Sequence, residues 1–399
     1  MRPLVINRHT LRWTVGEHGR YLPTPPESRA LLTRTFGGGL DGYRPADFPD
    51  VTICDMTRAG HLEAVATWLI ESRGLTHIVA LHEKEMILAA TLRQRYGLPG
   101  MTPAETLPFR DKLQMKDDLV AAGYPHVPGY LPVPAQLPPT LPWTGRTVVK
   151  SRWGLGASEV RVVDDAAGVA GAIADLNADP SSLEIEQFVE GTMYHCDSVV
   201  FDGEVSFVSV CEYLQPPGRF AVERYQGSVV LRDGPVRDLL CEHNAKVLRA
   251  LGIRAGVTHA EFFRTPAGDV VFCEVAARPG GGGISDIVGL SYGIDLVENA
   301  VHLQLGLGPV PPDAPASSDV FGILGIFQYV LVEDLGSALA DRVPGIVSYD
   351  FLPPEISGRV RHATDYGHKV ILRAPSRADF DDRVSQILEL VDHSCRERS

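Results

Sequence analysis

Val270-Val271-Phe272-Cys273-Glu274-Val275-Ala276-Ala277-Arg278-Pro279-Gly280-Gly281-Gly282-Gly283 is the stretch from which the rest of the chain can be read, together with Thr258-His259-Ala260-Glu261-Phe262-Phe263 just upstream. Between the two lies Arg264-Thr265-Pro266-Ala267-Gly268-Asp269, whose Pro and Gly suit a turn and poorly continue a strand. The pattern is that of an antiparallel hairpin. With its loop at Pro266–Asp269, Thr265 faces Val270 and Glu261 faces Glu274. Facing carboxylates repel unless a cation sits between them or one keeps its proton. Side chains alternate along a strand, so Glu274, Ala276 and Arg278 share a face. That face carries two acids, a guanidinium and four glycines with accessible N–H groups. It suits a Mg²⁺ held between carboxylates and phosphate oxygens, with Arg278 steadying developing charge. An ordinary surface hairpin with a flexible glycine exit has the same pattern.

The 399 residues are 44% hydrophobic, enough for several cores and two or three domains. A net charge of −13 and a pI near 5.5 disfavour nucleic acid and anionic lipid as partners, while leaving room for a locally basic pocket. The six cysteines (Cys54, Cys196, Cys211, Cys241, Cys273, Cys395) form no CxxC pair, and several sit in apolar runs, as reduced thiols of a cytosolic protein do. Met1–Ile6 is too short an apolar run for a signal peptide, and no run of about 18 apolar residues marks a membrane span. The expectation is a cytoplasmic globular protein without a membrane segment.

Residues 1 to 108 alternate β-rich runs (Leu4–Asn7, Val51–Asp55, Thr76–Leu81) with helical periodicity (Ala59–Arg73, Glu83–Tyr96), which predicts a small open α/β domain. Gly37-Gly38-Gly39 lacks the G-x-G-x-x-G spacing of a dinucleotide turn, so hydride transfer is unsupported. Asp111–Gly123 has helical spacing with Lys112 at its start, a charge that gains meaning only beside a phosphate site. Tyr124–Trp143 is Pro-rich and predicts a stiff connector. Thr147–Lys150 and Val160–Val163 are strands around Ser151-Arg152-Trp153-Gly154-Leu155-Gly156-Ala157-Ser158-Glu159, a glycine hairpin able to fold its amides over phosphates, with Lys150 as a point charge. It is not a Walker A loop, and a plain turn has the same composition. Ala166–Leu176 is helical, and Leu183–Gly191 is a strand running into a bend whose backbone could meet an adenine edge. Tyr194–Phe201 and Val205–Tyr213 form a hairpin across Asp202-Gly203; Arg237–Leu251 and Ile284–Leu305 are helical. From Val320 onward, short strands and a last helix at Ala378–Val391 complete the preceding domain.

In this order the pieces resemble an ATP-grasp carboxylate–amine ligase. The resemblance covers about residues 80–375. It rests on Leu98-Pro99-Gly100, Arg110-Asp111-Lys112-Leu113-Gln114-Met115-Lys116, the Lys150 hairpin, Glu186-Gln187-Phe188-Val189-Glu190-Gly191, His259-Ala260-Glu261-Phe262 and Glu274-Val275-Ala276-Ala277-Arg278. It implies an α/β and α+β architecture. An N-terminal open α/β domain (1–108) precedes a small α+β lid (109–190) and a larger α+β subdomain (191–399), with ATP gripped between the last two. Lys112 and Lys150 would meet the nucleotide phosphates, with Gly154, Gly156 and Ser158 in a mobile flap. Glu186, Gln187 and Val189 would form the adenine hinge. Glu261 and Glu274 would hold one or two Mg²⁺, and Arg278 would stand at the phosphoryl-transfer centre. Gly280, Gly281, Gly282 and Gly283, before a helix, could take the substrate carboxylate on backbone amides.

Two departures from the family pattern stand out. Ala276 replaces an Asn ligand of the second metal, where a water could serve instead. Thr192-Met193 replaces the ribose-binding Glu, leaving Glu190 or His195 as candidates for that contact. The implied chemistry is attack of a carboxylate on the γ-phosphate, then of an amine on the acyl phosphate. Two lysines, Mg²⁺ and Arg278 would offset the meeting of two anions. The wording of the motifs is most similar to L-amino-acid ligases of secondary metabolism, joining a small-molecule carboxylate to an amine, and allows a homodimer. The alternatives are a carboxylase or formate-using enzyme similar to purine-pathway members, and an ATP-binding protein without turnover.

Overall fold

A computed structural model describes residues 1–34, 39–157, 159–217, 224–327, 335–351 and 364–396. Ser158 of the glycine hairpin, and Gly37-Gly38, lie outside the described residues.

Four short parallel strands, β1 (Pro3–Asn7), β2 (Ala30–Thr33), β3 (Asp50–Ile53) and β4 (His77–Val79), lie in the order β3-β2-β1-β4. Helices α1 (Leu11–Val15), α2 (Ala59–Arg73), α3 (Glu83–Tyr96) and α4 (Pro103–Thr106) accompany them. Every residue of β1 is buried, as in a parallel sheet covered on both faces. Leu4 and Ile6 pack with Leu62, Ala66 and Leu69 of α2. Val5 turns the other way, into a core shared with Leu296, Val297 and Val301 far downstream. β2 was not anticipated; four residues with no polar alternation give too little pattern.

Helix α5 (Lys112–Ala121) is capped by Asp111, which accepts from Leu113 N at 3.1 Å. It leads into an antiparallel sheet of β5 (Tyr130–Pro132), β6 (Thr147–Ser151), β7 (Val160–Val163) and β8 (Leu183–Gln187), ordered β5-β8-β6-β7 and covered by α6 (Val169–Leu176). The Pro-rich run is therefore not only a connector. Three of its residues form β5, an edge strand, where Pro132 costs no inner ladder bond. This sheet has its own small core of Val149, Val169, Ala172, Ile173, Leu183 and Ile185.

The third sheet has eight antiparallel strands. They are β9 (Thr192–Phe201), β10 (Glu204–Tyr213), β11 (Tyr225–Leu231), β12 (Gly256–Arg264), β13 (Val270–Ala276), β14 (Val320–Ile326), β15 (Ile346–Phe351) and β16 (His368–Ala374). Their order is β13-β12-β9-β10-β11-β14-β16-β15. Helices α7 (Pro235–Ala250), α8 (Ile284–Tyr292), α9 (Leu296–Gln304), α10 (Leu335–Arg342) and α11 (Arg377–Arg396) belong to the same stretch. The β9–β10 turn has positive φ at both Asp202 (53°) and Gly203 (83°), the geometry that matches strand twist in two-residue hairpins. Ile284–Leu305 is two helices rather than one. Gly293 has φ 67°, and a Cβ there would lie 2.2 Å from Ala314 O, so the chain turns before Asp295 caps α9. The last three strands join this same sheet. Among the described residues no helix is long and apolar enough to cross a membrane.

Candidate active site

The β12–β13 hairpin brings Glu261 opposite Glu274, but by a different route from the one expected. Near the turn Arg264, not Thr265, pairs with Val270, because Thr265 N closes the loop on Asp269 O at 2.9 Å. That register alone would misplace Glu274 by one position. A bulge after Phe272 leaves Cys273 unpaired and restores the match at Glu261↔Glu274. A bulge also breaks strict alternation, so consecutive residues Cys273 and Glu274 both line the cleft. Glu261 Oε1 accepts from Tyr213 Oη at 2.7 Å, with His259 Nε2 3.4 Å away.

A charged layer lies above these acids. Lys112 Nζ sits 3.1 Å from Glu274 and donates to Gly154 O at 2.8 Å. Lys150 Nζ sits 2.9 Å from Glu186 and 3.5 Å from Glu184. Fully buried Lys116 bonds both oxygens of Glu184 at 2.9 and 3.0 Å and meets Glu186 at 2.9 Å. Burial pushes the Glu274 carboxyl up, but Lys112 and Lys150 outweigh it and bring it to about 2. Glu186 is likewise held below the usual carboxylate range, burial being outweighed by Lys116 and Lys150. Burial would lower Lys150, yet Glu186, Cys273 and Glu184 raise it well above an ordinary lysine. Lys150 thus stays charged in a low-dielectric cleft, as phosphate binding requires.

The bend after β8 lines the cleft at Gln187, Phe188, Val189 and Glu190. Arg146 stacks over Phe188 at 3.7 Å and pairs with Glu190 at 3.4 Å. Met193 also faces the cleft. His195 does not. It is fully buried, with Nδ1 2.6 Å from Asp197 and Nε2 2.5 Å from Ser228 Oγ, so it cannot take the ribose contact considered for it. It shares a strand face with Met193, two residues earlier, but Asp197, Ser228 and the Tyr213 ring cover it, which the sequence alone did not register. His259 Nδ1 takes the second oxygen of Asp197 at 2.8 Å. Burial opposes charge on both imidazoles. Cys211 and Asp197 raise His195 to about 9, while Asp197 and Glu261 raise His259 to about 10.

At the other end, Arg278 Nε donates to Glu83 Oε1 at 2.5 Å, and Nη1 to Pro279 O at 2.8 Å. Gly281, Gly282 and Gly283 line the cleft beside it. Gly280 faces inward instead, where a Cβ would lie 2.8 Å from Asp197 Oδ1 and 2.7 Å from Ile284. The N-terminal sheet supplies the facing wall with Arg8, His9, Trp13 and His82. The His9 ring lies 4.5 Å from Trp13 and 4.9 Å from His82. Burial, then His82 and Arg278, lower His9 to about 3, so the ring cluster of this wall adds no charge of its own at His9. The cleft encloses about 1330 Å³ and joins the lysine end to the Arg278 end.

Sequence reasoning missed Glu83, Lys116, Glu184, Tyr213 and Asp197. Only Lys116 stood inside a quoted motif; the others needed distances. For a divalent ion, the donors on offer are the oxygens of Glu261 and Glu274, with a cation already beside Glu274, and such hard donors fit Mg²⁺. Opposite His259 stands Ala276, which adds no ligand.

No family model matches the chain. It is 28% identical over 267 residues to the L-arginine-specific L-amino acid ligase of Bacillus subtilis, spanning 64% of this chain and 64% of that protein. Over 295 residues it is 29% identical to carnosine synthase 1 of Gallus gallus, covering 64% of this chain but only 30% of that much longer protein. Among solved structures, an L-amino acid ligase from Bacillus licheniformis superposes with TM-score 0.72 at 19% identity, over 98% of this chain and 97% of that one. An N5-carboxyaminoimidazole synthase from Aspergillus clavatus, bound to ADP and 5-aminoimidazole ribonucleotide, also gives 0.72, at 14% identity and over 98% and 99% of the two chains. At such identities the structural likeness is one of fold.

Proposed function

We propose that this protein, which has the ATP-grasp fold and is similar in sequence to L-amino-acid ligases, is an ATP-dependent, ADP-forming carboxylate–amine ligase. The observation that carries the proposal is the bulged β12–β13 pair. It sets Glu261 against Glu274 beneath Lys112 and Lys150, in one cleft with Arg278 and the Gly281–Gly283 backbone.

ATP would lie between the β5–β8 sheet and the eight-stranded sheet, within a chain divided as 1–108, 109–190 and 191–399. The bend at Gln187–Val189 would meet the base, and Lys112 and Lys150 the phosphates, leaving Glu274 and Glu186 for oxygens of the nucleotide. Glu261 and Glu274 would hold Mg²⁺, which when bound supplies charge neutralisation to the phosphates. Arg278 would orient the incoming carboxylate, with the Gly281–Gly283 amides holding an anionic group near it. Attack on the γ-phosphorus would give ADP and an acyl phosphate, and an amine would then displace phosphate to form the amide. The rings of His9, Trp13 and His82 would shield the acyl phosphate from water. We assign the substrates to amino-acid-like acids and amines of secondary metabolism, in the cytoplasm.

A matrix of amino acids assayed pairwise for ADP release, with mass spectrometry of products, tests this. Amine-dependent ADP release and a dipeptide mass support it. The fold likeness to a carboxyaminoimidazole synthase warrants a bicarbonate arm, and ADP release needing bicarbonate but no amino acid would favour a carboxylase. Nucleotide binding with no turnover in any arm would leave a non-catalytic protein.

A further inference from the structure

Two consecutive carbonyls of the β6–β7 loop are gripped from the approach to α5. Trp153 O accepts from Arg110 Nη2 at 2.9 Å, and Gly154 O from Lys112 Nζ at 2.8 Å. Lys112 continues to Glu274. Arg110 continues, through Nη1 at 2.5 Å, to Glu83 Oε2, while Glu83 Oε1 takes Arg278 Nε, also at 2.5 Å. One carboxylate at the start of α3 is therefore shared between a guanidinium that holds the loop and the guanidinium at the far end of the cleft. Glu83 is 7% exposed. Burial opposes its charge, but Arg278 and Arg110 outweigh that and hold it below the usual carboxylate range.

We propose that Glu83 is a positioning residue that couples the placement of Arg278 to closure of the β6–β7 loop, so that occupancy of one end of the cleft is felt at the other. The inference rests on Arg278 working at the acyl-transfer end, as proposed above. With the loop down, Arg110 is satisfied by Trp153 O and by one oxygen of Glu83, leaving the second oxygen to hold Arg278 in a single orientation. With the loop lifted, Arg110 loses its carbonyl and turns more N–H groups onto Glu83, competing with Arg278 for the same acid. Buried charges in a shared network respond together, and such coupling is reciprocal.

Chymotryptic cleavage after Trp153 reads the loop directly, because the scissile carbonyl is the one Arg110 holds. The full-length protein is cleaved with Mg²⁺ and the non-hydrolysable ATP analogue AMPPNP, as wild type, Arg278→Lys, Arg110→Met and the double variant. Lysine cannot reproduce the guanidinium fork on Glu83. Arg278→Lys is expected to speed cleavage about tenfold in the wild-type background and less than about twofold in the Arg110→Met background, the non-additivity of linked residues. Arg110→Met keeps the neutral Glu83–Arg278 pair, so the cycle stays readable even where Glu83→Gln folds poorly. Equal acceleration in both backgrounds, or none in wild type, overturns the proposal. No turnover is needed. Failure of every acid–amine pair to release ADP would strike the proposed function while leaving this measurement intact.

Discussion

Two bodies close the cleft against the eight-stranded sheet, and they are attached to it by opposite means. The N-terminal sheet shares a core with it: Val5, Leu31 and Val79 pack with Ile287, Leu296, Val301 and Ile323. Gln304 reinforces the seam, accepting from Ala80 N at 2.8 Å and donating to Ala80 O at 3.1 Å. The β5–β8 sheet keeps its core to itself; its loop carbonyls at Trp153 and Gly154 are held by Arg110 and Lys112 at the start of α5, which go on to Glu83 and Glu274. Apolar contacts cannot be exchanged for a ligand, whereas an ion pair can be exchanged for a phosphate. One wall is thus fixed, and the other is held by bonds that a triphosphate can take over.

The largest expected effect is at the charged side. Glu274→Gln should leave a folded protein whose ADP formation falls about a thousandfold, since charge at the proposed phosphoryl site is lost; wild-type rates in a stopped ADP assay would remove Glu274 from the proposed metal site. Lys116→Met strands Glu184 and Glu186 with Lys150 alone. It should destabilise the β5–β8 sheet by about 3–5 kcal/mol, seen as loss of amide protection in that sheet by hydrogen exchange, with recovery in Lys116→Arg. Uniform loss of protection over the whole chain would show that the sheet is not an independent unit. Leu296→Ala should instead lower global stability by about 2–5 kcal/mol in urea unfolding while sparing nucleotide affinity.

The pH dependence separates regions as well. His195 and His259 are raised to about 9 and about 10, so their contribution is fully present below the unfolded value of 6.5 and is lost as pH rises through those folded values. His9 is lowered to about 3, so the unfolded chain binds its proton first and stability falls as pH drops from 6.5 towards 3. Urea midpoints should therefore decline on both sides of neutrality. Asp197→Asn should flatten the alkaline limb and His9→Phe the acid one; unchanged limbs would dissociate these histidines from stability. The smallest effect is expected at Met193→Glu, which offers the cleft the ribose acceptor of the family it resembles and should tighten ATP by about three- to tenfold, as one net hydrogen bond of about 1 kcal/mol does. An unchanged Kd would place the ribose elsewhere.

Much of this was legible in residue order. Helices α2 and α3 begin and end where periodicity puts them, and the Asp202-Gly203 turn follows from two residues. The motif residues from Lys112 to Gly283 fall along one cleft, except His195 and Gly280, and Ser158, which is not described. Short β2 and β11 escaped notice because four and seven residues without regular apolar–polar alternation carry no period that distinguishes them. Glu83, Lys116 and Glu184 escaped because a buried charge looks, in sequence, like any surface charge.

The sequence by itself determined which strands turn back on one another and that acids, lysines and an arginine occur in the order of an ATP-grasp ligase, because backbone preferences and motif spacing are local. Only the tertiary structure decided which acid meets which cation. A one-residue bulge at Cys273 sets Glu274 across from Glu261, and folding brings Glu83 from the start of α3 to Arg278, nearly two hundred residues away. Pairing of that kind depends on distance through space, which no spacing along the chain encodes.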